Sequence, residues 1–192
     1  MSLKPASLLT QYWHCLVKAK LPGPILDLAC GDGHNGIFLA QKGFVVTCCD
    51  ISQQALMRAE KNASKHGVMI QLCQKDLELA GVNPLTENSY VAILVFRYLH
   101  RPLIPCIKKA VKGQGMLFYE TYTVEQPKFG KPHNPNYLLN HGELLSWFQD
   151  WQVIHYFEGI KQSPKRAIGQ IVCQKPKDDS RNDQRKDCGF LP

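Results

Sequence analysis

A chain of 192 residues with 44% hydrophobic content can bury the core of one domain and does not have the composition of a disordered protein. Its formal net charge of +7 admits anionic partners, but the basic residues are scattered, and Lys108, Lys109 and Lys112 suit the end of a helix. No apolar run approaches the ~18 residues of a membrane span, and Met1-Ser-Leu-Lys-Pro5 lacks the apolar stretch of a signal peptide, so a cytoplasmic location without membrane contact is expected.

Leu9, Tyr12, Trp13, Leu16 and Val17 recur at helical spacing, and Pro22-Gly23-Pro24 stops the helix they predict. That helix covers either a ligand cleft or a sheet edge; the spacing does not choose. Ile25 to Ala29 reads as a first strand carrying an acid, Asp27. The chain then breaks at Gly31, Gly33 and Gly36 before a helical stretch with Ile37, Phe38 and Leu39. A glycine at position 31 permits a tight turn, Gly33 admits a ligand against the main chain, and Gly36 permits close helix–strand packing. N–H groups at the helix start are expected to face the ligand.

Phe44 to Cys49 reads as a second strand ending in Asp50, and Ser52 as the N-cap of a helix with Ala55, Ala59 and Ala63 on one face. Met69 to Cys73 is a third strand, leading to Lys75-Asp76-Leu77. Tyr90 to Phe96 is a continuous apolar run, the pattern of a parallel strand buried on both faces. Arg97-Tyr98-Leu99-His100-Arg101-Pro102 follows, with Pro102 suited to a first helical turn. Gly115 to Tyr122 is a fifth strand. Strands alternating with helices predict right-handed crossovers and a parallel sheet.

From Thr123 to His141 the periodicity disappears, and Pro127, Gly130, Pro132 and Pro135 punctuate a long segment. A short helix capped by Asn140 and Glu143 runs to Phe148. Trp151 to Glu158 and Arg166 to Gln174 read as an antiparallel strand pair. Residues 1–174 are expected to be one domain and residues 175–192 a disordered tail. The cysteines form no C-x-x-C pair; most fall in predicted strands or helices, so they read as buried reduced thiols, with no metal site expected.

The acid four residues before Gly31 suits a ligand bearing an ammonium or sulfonium better than one bearing a pyrophosphate. Asp50 lies about twenty residues beyond Gly31, the spacing of an acid that holds ribose hydroxyls. In Asp27, Gly31, Gly33 and Asp50 the chain resembles the class I S-adenosylmethionine-dependent methyltransferases; it departs from them at Cys30, where a small or flexible residue is more usual. Phe118-Tyr119-Glu120-Thr121, Phe129-Gly130-Lys131-Pro132 and Asn134-Pro135 resemble the tellurite-resistance-type branch of small methyltransferases. The resemblance implies an α/β fold: a single doubly wound, Rossmann-like domain with a seven-stranded, mostly parallel sheet closed by a C-terminal antiparallel strand pair. It implies S-adenosyl-L-methionine as cofactor. Its contacts would come from Asp27, Ala29, Gly31, Gly33, Asp50, Ile51, Asp76 and Leu77, with Asp76 at the adenine or, alternatively, capping a helix.

Acceptor-side residues should lie at the carboxyl ends of the fourth and fifth strands. Arg97, Tyr98, His100, Tyr119, Glu120 and Tyr122 stand there, with His100 as candidate general base and Tyr98 and Tyr119 beside it as catalytic candidates. The expected activity is methyl transfer to a small molecule or oxyanion. Three rivals remain: an NAD(P)-binding oxidoreductase, a nucleic-acid methyltransferase, which the meagre charge of the 123–141 segment does not favour, and a non-catalytic binding protein of the same fold. The oligomeric state is not legible.

Overall fold

The structure is a computed structural model that describes residues 4–177. Residues 178–192, which make up most of the expected tail, lie outside that range.

The sheet has seven strands in the order β3-β2-β1-β4-β5-β7-β6. These are β1 (Ile25–Leu28), β2 (Val46–Asp50), β3 (Gln71–Gln74), β4 (Tyr90–Phe96), β5 (Val111–Tyr122), β6 (Gln152–Gln162) and β7 (Lys165–Gln174). The first five run parallel; β7 pairs antiparallel with β5, and β6 with β7. Chain order reverses between β1 and β4, and the crevice at their carboxyl ends is where such sheets bind ligands.

The apolar side chains of β4 and β5 alternate between two cores, so each strand is covered on both sides. Ile93, Val95, Leu117 and Tyr119 join one cluster with helix α5 (Ile104–Ala110), α6 (Glu143–Trp147) and Trp151. Ala92, Leu94, Met116 and Phe118 join the other, beneath α1 (Ser7–Tyr12) and α2 (His14–Ala19), which supply Leu8, Leu9 and Leu16. The expected amino-terminal helix is thus two short helices. Val17 is exposed, because α2 turns it away from the sheet.

Helices α3 (His34–Ala40) and α4 (Gln53–Lys65) pack against β1 and β2. Ser52 caps α4 as expected, its hydroxyl accepting from the Ala55 N–H at 3.2 Å. The strand–helix alternation fails between β3 and β4. No helix forms there; Leu77 and Leu85 anchor an irregular connection in the core while Leu79 and Val82 stay exposed. Asp76 therefore caps no helix. Its carboxylate accepts from the Glu78 N–H at 2.8 Å and closes a turn.

Beyond the predicted end of the sheet, Lys175 still pairs with β5: its N–H donates to Gly115 O at 2.8 Å. All seven cysteines among the described residues are free thiols, and no group there is arranged to hold a metal ion.

Candidate functional site

Asp50 ends β2 and joins two turns. Its Oδ2 accepts from the Gly31 N–H and its Oδ1 from the Ser52 N–H, both at 2.9 Å. The carboxylate thereby fixes the glycine turn in place, and the lone pairs left on each oxygen can accept from ligand hydroxyls. Gly31 adopts φ 55°, and a Cβ there would meet nothing within 4 Å, so the turn opens onto free space.

The other two glycines serve packing. Gly33, at φ 74°, caps α3, and a Cβ on it would lie 2.8 Å from Ala59 Cβ on α4. Gly33 is thus also required for close helix–helix contact. A Cβ on Gly36 would lie 2.8 Å from Cys48 Sγ. Nor does the first turn of α3 face outward throughout, because the Gly36 N–H donates inward to Asp27 Oδ2 at 2.9 Å.

Asp27 is 1% exposed. Burial pushes its carboxyl up to about 7; the Gly36 N–H opposes the shift and the Asp50 charge adds to it. Burial also lowers His34, helped by the Arg97 guanidinium.

Two residues at the switch point hold backbone conformations uncommon for side-chain-bearing residues. Ala29 follows β1 at φ 50°, and Arg97 follows β4 at φ 58°. Arg97 is held there by its N–H, which donates to Glu120 O at 2.7 Å. Strained residues of this kind concentrate at ligand sites.

Two cavities meet at Ala29. One, of about 400 Å³, is lined by Asp50, Ile51, Asp76, Leu77, Glu78 and Tyr98. The other, of about 310 Å³, is lined by Asp27, Cys30, His34, Arg97, Glu120 and Arg166 among others, with residues 4–7 and the β6–β7 turn along its rim. Asn35 ties that amino-terminal stretch down by accepting from the Ala6 N–H at 2.8 Å. A third cavity, of about 530 Å³, lies beyond Tyr98 under the 123–141 segment, lined by Tyr122, Lys131, Pro132 and Tyr137.

Of the expected cofactor contacts, Ala29, Asp50, Ile51, Asp76 and Leu77 share the first cavity, and Asp27 lines the second. The catalytic candidates scatter. Tyr98 reaches the first and third cavities, and its hydroxyl is buried without a hydrogen-bond partner. Tyr119 lies inside the core at 1% exposure, its hydroxyl donating to Tyr98 O at 3.1 Å, and it lines none of these three cavities. His100 lines grooves next to the 79–84 stretch and Tyr137, 4.0 Å from Glu78, away from Asp27 and Asp50. Glu78, Asn35 and Arg166 were not singled out as site residues: Glu78 stands in no motif, Asn35 lies unremarked between Gly33 and Gly36, and Arg166 opens a predicted strand whose place in the sheet is not encoded locally.

Residues 25–113 match the methyltransferase domain family model. Over this stretch the chain is similar to S-adenosylmethionine-dependent methyltransferases. TehB from Haemophilus influenzae, named as an S-adenosyl-L-methionine-dependent methyltransferase, is 25% identical over 150 residues, covering 75% of this chain and 51% of TehB. YqeM from Bacillus subtilis, also named as a methyltransferase, is 31% identical over 118 residues, covering 58% of this chain and 48% of YqeM. The chain spans about half the length of these curated relatives. A crystal structure of H. influenzae TehB superposes with a TM-score of 0.67 at 20% identity, covering 88% of this chain and 61% of that one, a likeness of fold.

Proposed function

We propose that this methyltransferase binds S-adenosyl-L-methionine across the two cavities that meet at Ala29 and transfers its methyl group to a small-molecule acceptor. The observation that carries this reading is the placement of two carboxylates on either side of that junction. Asp50 faces a cavity suited to a nucleoside, and Asp27, buried and short of a counter-charge, faces one suited to a cationic amino-acid end. Asp76 and Leu77 border the nucleoside side. When bound, the cofactor supplies an electrophilic methyl on sulfur; the chain's part is to orient it, exclude water and leave room for the acceptor.

A nicotinamide dinucleotide would bring a pyrophosphate towards Asp27, which disfavours the oxidoreductase reading. Action in the cytoplasm accords with the buried free thiols at Cys48, Cys49 and Cys173.

Calorimetry with S-adenosylmethionine, S-adenosylhomocysteine and NADH tests the proposal. Both sulfur ligands should bind and NADH should not. Asp50→Ala should weaken S-adenosylhomocysteine roughly ten- to a hundredfold, the value of a hydrogen bond to a charged group. Unchanged affinity in a folded Asp50→Ala protein removes Asp50 from the ligand site.

A further inference from the structure

The cavity beside Asp27 holds a second buried carboxylate. Glu120, at the carboxyl end of β5, is 2% exposed, and Gln170 on the neighbouring β7 is 2% exposed. Gln170 Nε2 donates to Glu120 Oε2. On the far side of the amide, Gln170 Oε1 lies 3.4 Å from His155 Nε2, and His155 Nδ1 lies 3.0 Å from the Tyr12 hydroxyl, with the two rings stacked. These contacts fix one direction. With the amide N–H turned to Glu120, the amide oxygen must accept from His155 Nε2–H. In the neutral imidazole, Nδ1 then accepts from the Tyr12 hydroxyl. Every hydrogen thus points towards Glu120 Oε2, leaving Oε1 for the cavity.

Oε1 has one charged neighbour, Arg166 Nη2 at 3.8 Å, too long for a hydrogen bond. Arg166 Nε is buried with no partner at all. A buried donor without a partner is costly unless something satisfies it. Arg97 stands on the same cavity wall.

We propose that the methyl acceptor is a small amine carrying a carboxylate, seated at the Glu120–Arg166 end of this cavity while the cofactor's amino-acid end takes the Asp27 end, with Glu120 receiving the acceptor's amine and Arg166 its carboxylate; this rests on the methyltransferase reading above. In the step, the neutral amine's lone pair forms the nitrogen–carbon bond to the methyl group. The carbon–sulfur bond breaks with its electron pair going to sulfur, so positive charge passes from sulfur to nitrogen. Glu120 Oε1, accepting an N–H from that nitrogen, meets more positive charge in the transition state than in the ground state, which is the condition for accelerating the step. No proton need leave during transfer. A bare oxyanion would instead bring its negative charge against Glu120.

Calorimetry on the full chain with S-adenosylhomocysteine bound tests this with three probes: β-alanine, propionate, which lacks the amine, and propylamine, which lacks the carboxylate. Glu120→Gln keeps the acceptor atom for Gln170 and removes the charge. It should weaken β-alanine and propylamine about tenfold or more and leave propionate no weaker. Arg166→Met should weaken β-alanine and propionate and spare propylamine. A purely structural role for either residue would move all three probes together and overturns the assignment. So does failure of β-alanine to bind, or selenite binding that tightens in Glu120→Gln. Failure of S-adenosylhomocysteine itself to bind would sink the cofactor reading, a separate outcome seen before any probe is added.

Discussion

Asp27 is held at a cost to folding, and under the proposed function that cost serves ligand binding. Its carboxyl is raised from 3.8 to about 7 by burial. A raised acid contributes stability that is fully present below its unfolded pKa and is lost as pH climbs through the folded one. The loss therefore falls between about pH 4 and 7 and amounts to a few kcal/mol, at ~1.4 kcal/mol per unit. Asp27→Asn keeps an oxygen for the Gly36 N–H and carries no charge. Urea unfolding at pH 5 and pH 8 should show the variant gaining on the parent at the higher pH, while S-adenosylmethionine binding weakens. Parallel pH dependence in the two proteins would mean that the Asp27 site is wet and unstrained. The glycines beside it divide the same way. Gly31→Ala places its methyl in open space, so only its positive φ costs stability, and it should lower affinity more than melting temperature. Gly33→Ala drives a methyl against Ala59 at positive φ and should cost about 1–3 kcal/mol of stability.

At the scale of elements, the segment from Thr123 to His141 is tied down by Arg101. That guanidinium forks onto both oxygens of Glu143 at 2.6 and 2.8 Å and also donates to Asn136 O and Leu138 O. Glu143 in turn accepts from the Asn140 N–H, and Thr123 bridges to Leu139, closing the stem. Between stem and Arg101 the loop roofs the third cavity with Lys131, Pro132 and Tyr137. We expect it to act as a cover whose tip tightens when cofactor and acceptor are both bound. Arg101→Ala should cost about 1–3 kcal/mol, the pair being only partly buried, and speed amide exchange across 123–141. Arg101→Lys should not restore protection, because an ammonium cannot fork. Exchange in this segment that is indifferent to Arg101 and to both ligands would leave it an ordinary surface loop.

The whole molecule shows which features local sequence can carry. β4 was legible from Tyr90 to Phe96 because a strand buried on both faces must be apolar throughout. That same uniformity hid the site. In β5, adjacent residues point to opposite faces, and nothing in Tyr119-Glu120 says which face opens on the crevice; Tyr119 went to the core and Glu120 to the cavity. Asp27 and Asp50 were legible because their spacing from the glycine turn is set within one βα unit. Arg166 and Gln170 come from the last strand, brought in by antiparallel pairing that no local pattern encodes. The positive φ of Ala29 and Arg97 was equally hidden, since neither is a residue that favours it.

The net charge of +7 also resolves only at this scale. Among the described residues some of the cations are engaged by carboxylates: Arg58 by Asp32, Arg101 by Glu143, Lys108 by Asp150, Lys109 by Glu87 and Lys128 by Glu125. These pairs are spread over α4, the turn before α5, α5 itself and the 123–141 segment and do not line one groove. Nucleic-acid affinity requires a set of unpaired cations spaced along phosphates, each releasing a counterion. The Arg97, Arg166 and Lys4 side chains do share a wall, but of a cavity of about 310 Å³, which admits a small molecule and not a duplex. Filter binding to transfer RNA at 150 mM salt should therefore give a dissociation constant weaker than about 10 µM. Cofactor should not strengthen it. Tight binding that falls steeply between 50 and 200 mM salt would reassign the acceptor to a polynucleotide and turn the 123–141 cover into part of a cationic groove.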